Sequence, residues 1–207
     1  MYIQWFAKGI AGRRDHGPPS RRLTKADAWD IVDSRTGILS NWWHSQGGIS
    51  PSSVAQVLTE TNLDRHLHAY ATFGTQSPFI SVAAGCVERD ALLQQNFVYS
   101  AVDTALDFAT DAWAYPGAVF FGWTIVGLNP AVPMRGISES VRELNVYRRW
   151  SPYQLEGEIT VKVNIPANQI ERVEWWDPIH SRSAPQDVHN NPDFERPDPI
   201  SNIRELF

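Results

Sequence analysis

Glu156-Gly157-Glu158 places two carboxylates two residues apart, directly ahead of the β-branched run Ile159-Thr160-Val161-Lys162-Val163. Side chains on an extended chain alternate faces with a period of two, so both glutamates share one face. Like charges side by side are unfavourable unless something cationic or chemical uses them. The plain reading is a solvent-facing strand start paired with lysine. The chemical reading is a carboxylate pair working on a developing positive charge. Glycoside hydrolysis also uses two carboxylates, but they flank the scissile bond from opposite sides, about 5 Å or more apart. Same-face neighbours on one strand do not obviously provide that.

The elements that must hold such a pair are legible in outline. At 207 residues the chain is long enough for one domain with a sizeable core. Met1–Ala7 reads as a buried strand, and Gly9–Ser20 as a loop punctuated by Gly17-Pro18-Pro19. Thr24-Lys25-Ala26-Asp27 caps a short helix through Val32. Asn41–Ser53 reads as a Gly/Ser/Trp loop, and Pro51–Asp64 carries a helix-like stripe of Val54, Val57 and Leu58. Gln76–Ala83 is a short strand, and Phe97–Ser100 is a candidate for another. Ser100–Ala112 is the clearest helix, with Val102, Leu106, Ala109 and Trp113 near a helical period. Gly117–Gly127 is a central strand; Asn129–Ser138 reads as loop and Glu139–Tyr147 as a short helix or ordered loop. Strands over Glu158–Ile165 and Ile170–Trp176 flank Pro166-Ala167-Asn168. Separated strands with few helices indicate an α+β fold rather than a doubly wound sheet. The body spans 1–176, and the Pro-rich stretch 177–207 reads as an extended C-terminal tail.

Composition excludes several functions. The net charge of −5 supplies no global basic field, so neither nucleic acid nor an anionic membrane is an expected partner. The local run Arg13, Arg14, Arg21, Arg22 and Lys25 reads as a solvated face. Cys86 is the sole cysteine, so an internal disulfide and a paired-cysteine zinc site are both excluded. No apolar run approaches the roughly 18 residues of a membrane span. Met1–Gly12 lacks the ordering of a signal peptide, which leaves a delivered effector and a cytoplasmic protein both open. The nine tryptophans suit a core together with a stacking cleft. No glycine-rich phosphate loop of either common pattern is present.

Three segments line up with the glutamate pair. Arg13-Arg14-Asp15-His16-Gly17-Pro18-Pro19 comes first, and Ser77-Pro78-Phe79-Ile80-Ser81-Val82-Ala83 second. The third is Glu156-Gly157-Glu158 itself, preceded by Tyr153-Gln154 and followed by Ile165-Pro166-Ala167-Asn168-Gln169-Ile170. Arginine, a strand serine and paired glutamates in this order resemble the Arg-Ser-Glu class of mono-ADP-ribosyltransferases, the catalytic A subunits of cholera, heat-labile enterotoxin and pertussis toxins. Leu63-Asp64-Arg65-His66-Leu67 is similar to a Leu-x-Asp-His stretch of those toxins, with Arg65 inserted. Two departures stand out. The later hydroxyls of the toxins' Ser-Thr-Ser strand are replaced by Val82 and Ala83, and Gly85–Tyr99 is extra sequence. The arginine position has three occupants to choose from: Arg13, which fits the spacing to Pro18-Pro19, Arg14, and Lys8, which directly follows Trp5-Phe6-Ala7.

The resemblance implies two packed, mostly antiparallel sheets around an NAD cleft with flanking helices. It implies cleavage of the nicotinamide–ribose bond of NAD, used as substrate and with no metal needed, and transfer of ADP-ribose to a protein acceptor. Glu158 would stabilise the positive ribose centre, and Glu156 would orient or deprotonate the acceptor, a glutamate there going with arginine acceptors. Ser81 would fix Glu158 by a hydrogen bond, Arg13 would hold NAD, and His66 is a further site candidate. Phe73, Phe79 and Tyr153 are the stacking candidates. Hydrolysis of NAD, or binding by a catalytically inactive relative, are the alternatives. Taken singly, a surface arginine, a strand serine or a lone histidine is ordinary.

Overall fold

The computed structural model describes residues 2–12, 23–46, 50–90, 92–127, 137–140, 158–198 and 203–206. Along these, β1 (Tyr2–Ala11) and α1 (Lys25–Asp33) precede β2 (Ile38–Leu39) and four short helices. The helices are α2 (Asn41–Ser45), α3 (Pro51–Val57), α4 (Glu60–His68) and α5 (Tyr70–Phe73). Then come β3 (Phe79–Ala83), β4 (Cys86–Asp90), β5 (Gln95–Tyr99), α6 (Ala101–Thr110), β6 (Gly117–Gly127) and β7 (Ile137–Ser140). After them run β8 (Glu158–Lys162), β9 (Asn164–Ile165), β10 (Ile170–Trp176), β11 (Asp187–Asn190) and β12 (Ile203–Arg204). The fold is α+β and mostly antiparallel.

Two strand groups share one hydrogen-bonded network. In the first, β1 pairs with β6 over its whole length, from Tyr2↔Val126 to Ala11↔Gly117, and β10 lies on the other side of β6. In the second, β3 pairs with β8 from Phe79↔Lys162 to Ala83↔Glu158, and β7 adds to β8. The groups join at the single pair Ala7↔Ala83 and again where β7 runs parallel to the end of β6. Ala118–Phe121 of β6 are all buried, as a near-continuous apolar run in a central strand requires.

Helix α6 sets the local geometry of β1. Its N-cap Ser100 accepts from the Asp103 amide, and its inner face is small: Ala101, Ala105 and Ala109. A Cβ on Gly9 would sit 2.0 Å from the Ala105 carbonyl oxygen, and one on Gly117 would sit 1.9 Å from that of Ala109. The helix backbone therefore lies directly on the strands, and only glycine fits there. This explains one departure from expectation. Gly9 does not start a loop; it lets β1 run on to Ala11 beneath α6.

Other departures also have local causes. Asn41–Ser45 is helical rather than loop because Ser40 caps it, accepting from the Trp43 amide, while Trp42 is buried. The expected stripe over 51–64 divides at Leu58, whose backbone leaves the helical region, and Thr59 caps the next helix. The strand expected over 158–165 breaks at Val163, with φ of 70°, which turns β9 onto β2. Strand pairing begins at Ile137 and runs through Glu139 and Ser140, so the end of the expected loop and the start of the expected helix or ordered loop are strand; residues 128–136 and 141–157 lie outside the described part. The stretch after Trp176 supplies a strand at each edge of the sheet: β11 on β10, and β12 parallel to β1.

Candidate functional site

Helix α4 buries Leu63, His66 and Leu67, which stand at the i, i+3, i+4 spacing of one helix face. The leucines join Trp42, Val54, Leu58, Phe79 and Val163 in an apolar cluster. His66 is thereby carried into the protein at 3% exposure, its ring 5.6 Å from that of Phe79. It is held from both sides. Nδ1 lies 2.8 Å from Ser77 Oγ, and Nε2 lies 2.9 Å from Ser81 Oγ.

Strand pairing brings in the glutamate. Ser81 stands opposite Thr160, and Ala83 opposite Glu158. Ser81 and Glu158 are thus diagonal neighbours on one face of the sheet. Glu158 is 6% exposed, and its Oε1 lies 3.9 Å from His66 Nε2. Two residues far apart in sequence, Ser81 and Glu158, therefore both approach one imidazole nitrogen of His66.

The electrostatics fix the histidine's charge. Burial, reinforced by the Lys8 ammonium, lowers the His66 pKa from 6.5 to about 3. The ring is neutral at ordinary pH. Lys8, partly buried on β1, is therefore near enough to act on the charge of His66. Arg13, Arg14, Glu156 and Tyr153 lie outside the described residues. The stacking candidates Phe73 and Phe79 are 3% and 4% exposed, so both serve the core.

Two site residues escaped the sequence reading. Ser77 is fully buried, bonds His66, and accepts the Phe79 amide at 3.1 Å. Its only signal was a serine two residues before the strand. Tyr70 meets the His66 ring edge-on, with centroids 5.3 Å apart and planes at 83°. It is 42% exposed, and a Cβ on Gly74 would come within 2.8 Å of its ring. Asn41 Nδ2 donates to the Gly74 carbonyl at 2.7 Å and reaches the Tyr70 hydroxyl at 3.4 Å. The result is a braced aromatic ring at the edge of the site. Among the described residues no group of three or more His, Cys, Asp or Glu is placed to hold a metal, and no helix is long and apolar enough to cross a membrane.

No protein-family model matches the chain, and no curated protein matches it. Among solved structures, it is similar to a heat-labile enterotoxin mutant described for the flexibility of an active-site loop in its A subunit. That likeness has a TM-score of 0.43 and 13% identity, covering 94% of this chain and 76% of the other. It is also similar to EcPltA, with a TM-score of 0.49 and 14% identity, covering 99% of this chain and 94% of the other. The chemistry below rests on His66, Ser81 and Glu158 rather than on these likenesses.

Proposed function

We propose that this chain is a mono-ADP-ribosyltransferase that cleaves NAD and transfers ADP-ribose to an arginine of a protein acceptor. The observation that carries the proposal is the meeting of Ser81, His66 and the buried Glu158 around one imidazole nitrogen. A buried carboxylate held beside hydrogen-bonding groups suits a transition state that gains positive charge.

In the reaction the bond between the ribose carbon and the nicotinamide nitrogen breaks, and its electron pair leaves with that nitrogen. Positively charged pyridinium becomes neutral nicotinamide, and the ribose becomes oxocarbenium-like. Glu158 stabilises that centre more than it stabilises the ground state, which is what accelerates the step. The acceptor nitrogen then forms the new bond and gives up a proton. Arginine needs this help, because its guanidinium carries no free lone pair at neutral pH; Glu156 takes the proton. A cation holds the NAD phosphates, and Arg13, Arg14 and Lys8 are the candidates for it. The exposed face of Tyr70 offers a stacking surface for a planar ring. Water in place of the acceptor yields free ADP-ribose from the same site.

The test is incubation with labelled NAD and a poly-arginine or protein acceptor. Wild type is expected to release nicotinamide and transfer label, and Glu158→Gln to lose about 100- to 1,000-fold in both. Glu156→Gln should stop transfer and keep hydrolysis. Among Lys8→Gln, Arg13→Gln and Arg14→Gln, the variant with the raised KM for NAD identifies the phosphate ligand. Absence of nicotinamide release by wild type sinks the enzyme assignment; transfer that persists in Glu158→Gln sinks the role of that residue.

A further inference from the structure

We infer that Ser77 is a positioning residue that locks His66 in the tautomer protonated on Nε2, so that the Ser81 hydroxyl is left to donate its own proton. Ser77 Oγ is fully buried and has two partners, the Phe79 amide at 3.1 Å and His66 Nδ1 at 2.8 Å. The amide can only donate, so it occupies one oxygen lone pair. Were Nδ1–H also to donate, the hydroxyl proton would be buried without an acceptor, an arrangement proteins avoid. The Ser77 hydroxyl therefore donates to Nδ1.

A neutral imidazole carries one proton, which must then sit on Nε2. Nε2–H faces Ser81 Oγ at 2.9 Å and Glu158 Oε1 at 3.9 Å. Ser81 is thus the acceptor in its bond with His66, and its O–H is available to the carboxylate or to a bound hydroxyl. The opposite tautomer would reverse both bonds made by the imidazole and turn the Ser81 proton back onto His66. The row Phe79 amide, Ser77, His66, Ser81 is one directional chain, with its direction set by a backbone N–H that cannot reverse. The catalytic consequence rests on the NAD-cleaving assignment; the tautomer does not.

Long-range proton–nitrogen correlation spectra of the intact protein read the two ring nitrogens directly. Wild type is expected to show a protonated Nε2 and a bare Nδ1. Ser77→Ala should lose that single-tautomer signature and protonate at a higher pH, since the hydroxyl no longer competes with a proton for Nδ1. In nicotinamide release, Ser77→Ala is expected to lower kcat ~10- to 100-fold with KM for NAD nearly unchanged, as displaced orienting groups do. A protonated Nδ1 in wild type, or an unchanged tautomer in Ser77→Ala, overturns the inference. A changed tautomer with unchanged kcat overturns its catalytic half. If wild type releases no nicotinamide, the NAD assignment falls, while the ring nitrogens still decide the role of Ser77.

Discussion

At the residue scale, the site depends on a histidine that folding makes hard to protonate. Burial first and Lys8 second bring its pKa from 6.5 to about 3. Between these values the unfolded chain binds a proton that the native protein does not, so stability falls as pH drops through the window. Above about 6.5 neither state is protonated and the penalty vanishes. The expected slope from His66 alone is at most about 1.4 kcal/mol per pH unit. Urea unfolding at several pH values checks this, with His66→Gln expected to flatten the dependence in that window. An unchanged slope in the variant would show that other groups govern acid sensitivity. His66 was visible in the sequence only as a weak echo, because a histidine on an apolar helix stripe has the same pattern whether it is core or catalytic. Its two serine partners come from other elements and are invisible in that pattern.

At the element scale, register matters more than composition. Glu158 reaches His66 because Ala83 pairs with Glu158 and Ser81 with Thr160. A slip of one residue between β3 and β8 would send the carboxylate to the other face of the sheet. The boundaries of β6 and β10 were read directly from the sequence, since continuous apolar runs between turn signals leave little ambiguity. The extent of β1 was not, because a glycine that admits a helix backbone looks locally like a glycine that starts a loop. That contact makes a prediction. Gly9→Ala must push α6 off the sheet or bend β1, and overpacking of this kind costs about 1–3 kcal/mol or more. A lower urea midpoint with an unchanged slope is expected. A midpoint equal to that of wild type would mean the helix does not sit on the strand backbone.

At the scale of the whole molecule, the stretch after Trp176 is built into the sheet. β11 covers β10, and β12 covers β1, so both outer edges of the hydrogen-bonded network are formed by this stretch. Asn191 is 8% exposed, and its side-chain amide donates to the Ala167 and Ile170 carbonyls at 2.9 and 2.8 Å. His189 stacks on Trp29 and lies 2.7 Å from Asp33 Oδ1. The partly exposed pairs Lys25–Asp187 and Arg35–Asp193 contribute little individually. Asn191→Ala removes both of these buried hydrogen bonds, although the Ala167 carbonyl keeps the Ile170 amide, and is expected to cost about 1–3 kcal/mol, read by thermal unfolding. Deletion of everything after Trp176 should expose both edges and give a protein that aggregates on warming. A deleted form with the melting temperature of wild type would show that the stretch is dispensable.

Local chemistry is legible in the order of residues along this chain. Capping residues before α1, the apolar runs of β6 and β10, and the alternation that exposes Glu156-Gly157-Glu158 as a pair all depend on neighbours within a few positions. So does the motif likeness carried by Ser81 and Glu158. Which residues share a site does not. His66, Ser77, Ser81 and Glu158 meet because helix α4 buries one stripe and strands β3 and β8 pair in one register, and these are long-range choices governed by packing. The same holds for the charge state of His66 and for the edge strands after Trp176, since burial and strand pairing are properties of the assembled molecule and no short window of sequence carries them.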